Sequence, residues 1–289
     1  MNFLGILLAL GLERLLGHFS WWERPVAFLA YRRALMVVIP WKKLWSSWAG
    51  ALLVLLPPLI IVYEIGTIIV HPFVELLWSS AILLLCLGPR DLAEDVQRLI
   101  EARSKSDQEA FTKLSRALQR GPHPDPTHRT LIGALFIQSH ERLFGVLLWF
   151  FAFGPGGAVV YRLASRMPRA FNETAPDSQA AHVAETLHDV VAWIPARITA
   201  LLYGLAGSLD DALKTWRGLS FEAVEWRSQT WAVLAEVPAA SLDMEEPDGG
   251  EVVPATLEAA MQEVLRMQTR VLLLMLATFA IFATGALTS

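Results

Sequence analysis

The sequence has few of the residues that build disulfides or nucleotide sites. It contains one cysteine, Cys86, among 289 residues, so no intrachain disulfide can form. Neither a G-x-x-x-x-G-K-[ST] phosphate loop nor a G-x-G-x-x-G dinucleotide fingerprint occurs, which argues against P-loop nucleotide hydrolysis and a Rossmann-type cofactor site. The net charge is −4 and no basic stripe is present, so nucleic acid is not an expected partner. No cofactor is expected.

Metal-binding motifs are also missing. His140-Glu141 resembles the start of a zinc metallopeptidase site, but that site needs a second His four residues after the first, and position 144 is Phe. His182, Glu185 and Asp189 can share one helix face, an arrangement typical of a solvated polar face. We therefore expect no metal site.

Apolar residues are abundant and clustered. They make up 54% of the chain, against about 45–50% in soluble proteins. About 20 apolar residues suffice to cross a bilayer as a helix. The segments that meet or approach this length are 49–70, 73–88, 131–163 and 270–287. The sequence predicts an all-α, polytopic membrane bundle, a single domain over 1–289 with at least four spanning segments.

Two further apolar segments are predicted to be membrane-embedded or interfacial. Residues 2–17 lack a basic leader and a cleavage site, and Glu13-Arg14 interrupts them, so they are read as a retained helix. Residues 190–207 carry Pro195 and Arg197, which leaves a re-entrant and an interfacial placement open. Residues 208–269 are expected to form amphipathic helices, with an acidic loop at 243–251.

The distribution of basic residues predicts a topology. Four of them precede the first strong span and alternate with tryptophans, which is typical of a cytoplasmic flank; they are Arg32, Arg33, Lys42 and Lys43. Residues 89–130 then form a cytoplasmic helical loop. Within it, Ser106-Asp107-Gln108-Glu109 has the form of a capping box with Ser106 at the N-cap, and 121–128 is a Pro-rich loop. The side of the membrane on which 165–265 lies stays open.

The longest apolar segment is interrupted by Gly154-Pro155-Gly156-Gly157, which predicts a broken helix. A helix that starts at this break presents free N–H groups, which favour an anion. Arginines bind phosphate or carboxylate through two parallel hydrogen bonds. A simple packing break is the alternative. The hypothetical anion pocket comprises Arg142, Gly156, Gly157, Tyr161, Arg162 and Arg197.

Ionisable residues inside apolar segments are costly and usually face a partner or a cavity. Glu13, Arg14, Glu64 and Glu141 are such residues, and a cross-helix charge network among them is expected. Glu64 is alone in its span, so it lies near the interface or pairs with a buried arginine.

Three strings resemble the AmpE family, which belongs to a superfamily with the cobalamin-biosynthesis enzymes CobD and CbiB. They are HERLFGV at 140–146, GPGGA through YRL at 154–163, and WIPARITALL at 193–202. The last string is the most specific, and the similarity extends over nearly the whole chain.

The resemblance implies a multi-pass protein in the inner membrane of a Gram-negative bacterium. It implies a role as sensor or modulator in induction of the AmpC β-lactamase, linked to peptidoglycan recycling and to the AmpD amidase. The expected partners are the lipid bilayer and an anionic small molecule, either muropeptide-like or phosphate-bearing.

The enzyme branch of the superfamily joins an aminopropanol phosphate to adenosylcobyric acid through an amide bond. That branch carries Glu-Asn and then Asp-Gly before its apolar span, whereas here Arg142 follows Glu141 and Phe144 precedes Gly145. This departure favours a non-enzymatic role. The enzyme stays an alternative because Tyr161-Arg162 and Pro195-Ala196-Arg197 are retained, and a transporter is a third, based on the broken helix.

Overall fold

The computed structural model describes residues 2–16, 26–41, 44–87, 92–119, 131–174, 178–222, 228–242 and 257–288. These residues are almost entirely helical and contain no strand. The helices are α1 (Asn2–Leu16), α2 (Val26–Val38), α3 (Trp48–Ile68), α4 (Pro72–Leu87), α5 (Leu92–Ser104), α6 (Gln108–Gln119), α7 (Leu131–Ser139), α8 (Gly145–Thr174), α9 (Gln179–Ala206), α10 (Leu209–Glu222), α11 (Ser228–Ala240) and α12 (Leu257–Thr288). A short 3₁₀ turn, Leu44–Ser46, precedes α3, and a π-helical segment, His140–Phe144, joins α7 to α8.

Five helical stretches in the described part of the chain are long and apolar enough to cross a bilayer. They are Trp48–Ile68, Pro72–Ser104, Leu131–Pro168, Gln179–Ala206 and Leu257–Gly285. The expectation of an all-helical, multi-pass membrane protein is confirmed. The segment 190–207, whose placement the sequence left open, belongs to one of these stretches and is continuous with residues before it.

The helices form two compact units. The first unit contains α1–α4, α8 and α9 as far as Ala192, and α4 is packed against both α1 and α8. Ser80 on α4 donates a hydrogen bond to the carbonyl of Gly5 on α1 at 3.2 Å. On α3 the apolar side chains of Leu52, Leu56, Ile60 and Ile61 are exposed, as expected for a helix surface that faces lipid.

The second unit contains α5–α7, the π-helical segment, α9 from Trp193, and α10–α12. Here α7 is central and is packed by α5, α6, α11 and α12. Residues 133–139 of α7 are all buried. Gly207, after α9, approaches Ser241, after α11, so closely that a Cβ would overlap its carbonyl oxygen. The turn after α9 is therefore restricted to glycine.

A short turn at residues 69–71 joins α3 to α4. Pro72 is the first residue of α4, a position that suits proline because its N–H is not needed there. The turn before it ends at His71, whose Nδ1 accepts a hydrogen bond from the Phe73 amide at 3.2 Å. His71 therefore caps the helix.

The predicted capping box at 106–109 is wrong in its first residue. Ser106 has a φ of 56° and ends α5, with the Asp107 amide bonded to the Ala102 carbonyl at 2.9 Å, a C-terminal pattern. The side chain that caps α6 is Asp107, whose Oδ1 accepts from the Ala110 amide at 3.0 Å. The N-cap was therefore predicted one residue too early, at Ser106 instead of Asp107.

The structure describes α10, α11 and the start of α12 within the segment 208–269, for which the sequence predicts amphipathic helices. In α10, Asp210 and Asp211 are exposed while Ala212 is buried. In α11, Trp231 and most of the residues that follow are buried. The predicted loops at 121–128 and 243–251 lie outside the described residues.

Candidate functional site

The π-helical segment His140–Phe144 contains the altered motif that set this chain apart from the enzyme branch. A π turn inserts one extra residue into a helix and is frequently found at functional sites. In this segment His140, Glu141 and Phe144 are buried. Arg142 is the most exposed of its charged groups, with 21% of the side chain accessible.

Arg142 is held by an ion pair within the second unit. Its Nη1 lies 2.7 Å from Oδ2 of Asp95 in the first turn of α5, and only 6% of the Asp95 side chain is exposed. Its Nε donates to Oε1 of Gln138 at 3.2 Å. Gln138 in turn donates to the Leu118 carbonyl at the end of α6, at 3.3 Å. This network connects the π segment to α5 and α6.

A second polar layer joins the same segment to α9. His140 Nδ1 is 2.9 Å from the Thr199 hydroxyl, and that hydroxyl donates to the Pro195 carbonyl at 2.8 Å. Because the Thr199 proton is committed to Pro195, His140 must donate from Nδ1, which leaves the lone pair on Nε2. Ser139 and Tyr203 share a hydrogen bond at 2.9 Å. All four polar side chains are buried.

Aromatic rings enclose Tyr203 in this layer. The rings of Phe136 and Phe144 meet it edge-on, with centroids 4.7 and 5.8 Å away. Phe144, which replaced a polar residue of the enzyme branch, is therefore part of an apolar wall. The polar layer connects α7 and the π segment to α9, and Tyr203 is fully buried beside these rings.

Arg197 lies on α9 in the second unit. Its guanidinium carbon is 4.1 Å from the centroid of the Trp193 ring, and Nη1 donates to the Trp193 carbonyl at 3.0 Å. Within the described part of the chain, no carboxylate pairs with it. Arg197 is thus ordered by its own helix and, unlike Arg142, has no described acidic partner.

The predicted helix break is present in the first unit. Gly154 has φ 67° and ψ −157°, which only glycine adopts readily. Pro155 follows and has no N–H, so the Phe151 carbonyl loses its helical donor. The Asn2 side chain on α1 replaces that donor at 3.1 Å. Gly157 then approaches the Trp149 carbonyl too closely for a Cβ to fit.

Tyr161 and Arg162 follow the break within the same unit. Tyr161 is buried, and its ring lies against Gly145 so closely that a Cβ on Gly145 would overlap it. The ring also meets His188 edge-on, with centroids 6.1 Å apart. Arg162 Nη2 is 3.5 Å from the Leu87 carbonyl at the C-terminus of α4, where a cation is favourable.

The six residues of the predicted anion pocket are divided between the units. Gly156, Gly157, Tyr161 and Arg162 belong to the first, and Arg142 and Arg197 to the second. The pocket as a whole stays a prediction. Sequence reasoning missed Asp95, although its position three residues after Leu92 and four before Leu99 places it on the apolar face of α5, unlike Glu94 and Glu101.

The predicted charge network also stays a prediction, with these positions. Arg14 is exposed in the last turn of α1, and Glu64 is exposed in the last turn of α3. Glu13 is partly exposed, whereas Glu141 is buried in the second unit. Glu64 therefore lies near a helix end, one of the two placements expected for it. Among the described residues no cluster of His, Cys, Asp and Glu fits a metal ion.

The five apolar helical stretches, with the Arg142 network and the polar layer around Tyr203 between helices, define a multi-pass helical membrane protein. Residues 6–244 match the family model described as CobD/Cbib protein. The chain belongs to the CobD/CbiB family.

Two curated relatives agree with this assignment. The cobalamin biosynthesis protein CobD of Chromobacterium violaceum is 28% identical over 237 residues, which cover 76% of this chain and 73% of the relative. A protein of the same name from Stutzerimonas stutzeri is 26% identical over 147 residues, or 48% of each chain. No solved structure matches the chain.

These matches correct the sequence-based identification. The AmpE assignment is wrong, and so is the predicted role in β-lactamase induction, because the matched family and both relatives are CobD-type. A muropeptide-like ligand and a link to AmpD rested on that assignment and stay untested predictions. The strings quoted for AmpE lie within residues 6–244, which match the CobD/CbiB family, so they did not separate AmpE from that family.

Proposed function

We propose that this protein is an amide-forming enzyme of cobalamin assembly, which joins an aminopropanol phosphate to adenosylcobyric acid. The observation that carries the proposal is the match of residues 6–244 to the CobD/CbiB family. The names of the two relatives point in the same direction. The departure from the enzyme-branch motif at Arg142 and Phe144 is the only feature that favours a non-enzymatic protein.

The reaction joins the amine nitrogen to a carboxyl carbon with loss of one carboxylate oxygen. Direct condensation releases water, so the carboxylate needs an activating co-substrate such as a nucleoside triphosphate. The site must therefore hold a phosphate and a carboxylate at once. Arginines bind both groups well because their guanidinium offers paired donors.

Arg197 is the residue we assign to anion binding. It lies nine residues before the end of α9, inside the apolar part of a spanning stretch, where an unpaired charge is costly and usually marks a functional site. Stacking on Trp193 orders the guanidinium before a ligand arrives. Arg142 is less suited, since Asp95 already neutralises it.

We place the protein in the cytoplasmic membrane of a Gram-negative bacterium, as the sequence predicted. The five apolar helical stretches and the match to the CobD/CbiB family support a membrane location. A fractionation of the host membranes on a sucrose gradient tests this. Co-migration with outer-membrane porins would refute it.

The activity is tested with purified full-length protein in nanodiscs, supplied with adenosylcobyric acid, aminopropanol phosphate, ATP and Mg²⁺, with product detected by mass spectrometry. Formation of the amide is expected, together with complementation of a strain that lacks CobD. Folded protein that forms no amide and does not complement would refute the proposal.

The role of Arg197 is tested by Arg197→Gln, with Arg217→Gln as the matched control on an exposed site of α10. We expect the KM for aminopropanol phosphate to rise about tenfold or more for Arg197→Gln, because one lost charged hydrogen bond costs about 1.5–3 kcal/mol. The control should leave the KM unchanged. Equal KM values for both variants would remove Arg197 from the site.

A further inference from the structure

One face of α2 and the turn after it is exposed, and most of it is apolar. We call this face the α2 surface; its residues are Ala30, Arg33, Ala34, Val37, Val38 and Trp41. Val37, Val38 and Trp41 are 81%, 76% and 73% exposed. The spacing of three to four residues places the five residues from Ala30 to Val38 on one side of the helix, and Trp41 follows the helix. Apolar side chains with such large exposed fractions are expected to contact something other than water.

The α2 helix is too short to cross a membrane. Its 13 residues extend about 20 Å, whereas the hydrocarbon core is about 30 Å thick. The surface is therefore not explained by a sixth spanning helix. A helix of this kind that rests in the membrane–water boundary buries its apolar side by about 5–10 Å.

Two hydrogen bonds hold α2 beside the start of α3, which does span. Tyr31 donates to the Val54 carbonyl at 2.9 Å, and Val54 lies six residues from Trp48, or about 9 Å along α3. Trp45 donates to the Ile39 carbonyl at 2.9 Å. Because α3 begins at Trp48, these contacts keep α2 within the depth range of an interfacial helix. Apolar side chains are exposed on α3 as well, among them Leu52 and Leu56.

The charge of this part of the sequence has one sign. Residues 25–63 contain Arg32, Arg33, Lys42 and Lys43 and no acidic residue. Arg33 belongs to the α2 surface, and Trp41 and Trp48 are exposed aromatic side chains of the kind found at headgroup level. A basic side chain at an anionic membrane surface contributes about 1 kcal/mol.

We propose that the α2 surface is a binding surface for anionic lipid headgroups, with its valines and Trp41 in the acyl boundary and Arg33 at the phosphates. The occupant is lipid because a hydrogen bond holds α2 beside a spanning helix and because residues 25–63 contain four basic residues and no acidic one. None of the residues of the α2 surface is among those assigned to the amide-forming reaction.

The depth of the surface is measured by spin labels at Val37→Cys and Val38→Cys, with Cys86→Ala removing the native thiol, in nanodiscs of phosphatidylcholine and phosphatidylglycerol. A label at Lys113→Cys, on an exposed site of α6, is the aqueous control. Oxygen should relax the α2 labels more than a water-soluble nickel complex does, at about 5–10 Å depth. Nickel access equal to the control, or access to neither reagent as in a contact between two copies, would overturn the proposal.

The headgroup preference is measured by native mass spectrometry of the full chain in mixed phosphatidylglycerol and phosphatidylcholine micelles. We expect preferential retention of phosphatidylglycerol, and about a fivefold loss of that preference in Arg33→Gln, which corresponds to about 1 kcal/mol. Arg116→Gln, at an exposed position of α6, should keep the preference. No preference in the unmodified protein, or equal losses in both variants, would refute anionic headgroup binding.

Discussion

The ion pair between Asp95 and Arg142 predicts a measurable coupling free energy. The two groups are 2.7 Å apart, and their side chains are 6% and 21% exposed. At an effective dielectric of about 20 the attraction of two charges 4 Å apart is about 4 kcal/mol, from which the cost of removing both from water is subtracted. A charged hydrogen bond of net value about 2 kcal/mol remains.

The test is a double-mutant cycle with Asp95→Ala, Arg142→Met and the double variant. Each single variant should lose about 2–3 kcal/mol of unfolding free energy, since Arg142 keeps some access to water when its partner is removed. The double variant should lose about 2 kcal/mol less than the sum of the two. Unfolding is followed by circular dichroism during titration of detergent micelles with sodium dodecyl sulfate.

The exposed pair of Glu94 and Arg98 supplies the control. These groups are 3.5 Å apart, with side chains 41% and 46% exposed, so their coupling should be about 0.3–0.5 kcal/mol. A coupling for Asp95 and Arg142 no larger than this control value would show that the pair does not connect α5 to the π segment as we argue.

Three further substitutions test local features, each by the same unfolding assay. Gly207→Ala should destabilise the protein by about 1–3 kcal/mol, because its Cβ meets the Ser241 carbonyl. As the control, Gly218→Ala, where nothing lies within 4 Å, should stabilise α10 by about 0.5–1 kcal/mol. Similar losses of stability for both variants would contradict the close approach of Gly207 to Ser241. Asp107→Ala should cost about 1 kcal/mol through loss of the α6 cap, and an unchanged stability would return the cap to another residue. Tyr203→Phe should cost about 1–3 kcal/mol, because a buried serine hydroxyl loses its partner; no change would mean that this hydroxyl finds another acceptor.

The spanning helices were predictable from the sequence because long uncharged runs have one stable arrangement in a bilayer, in which the backbone bonds to itself. The break at Gly154 was predictable for a related reason. A proline preceded and followed by glycines removes an amide donor and permits a positive φ at the same point. Both features depend on residues that are adjacent in the chain.

The candidate site was less predictable because its contacts join distant residues. Asp95 and Arg142 are 47 positions apart, and Asn2 and Phe151 are 149 apart. The spacing of residues within one helix carries no signal for such pairs. The π segment also has no signal in the sequence, since one extra residue in a turn changes the direction of side chains without changing composition.

The assignment of the chain to the AmpE branch was wrong for a different reason. The string at 154–163 contains the glycine break, which is part of the scaffold. A scaffold is shared by all branches of a superfamily, whereas function depends on the site built into it. The sequence-based argument for a non-enzymatic role rested on Arg142 and Phe144. Their structural partners, Asp95 and Tyr203, cannot be identified from the sequence.

The contact between Asn2 and Phe151 gives the helix break a test of its own. Asn2→Leu leaves the Phe151 carbonyl without its donor, which should cost about 1–3 kcal/mol of unfolding free energy. Pro155→Ala restores an N–H one helical turn after Phe151 and allows the helix to become regular if Gly154 leaves its positive φ. Asn2→Leu should therefore cost less in the Pro155→Ala background than in the unmodified chain. Equal costs in both backgrounds would show that Asn2 does not act through the Phe151 carbonyl, to which Pro155 has no N–H to donate. The stability of the break would then need another explanation.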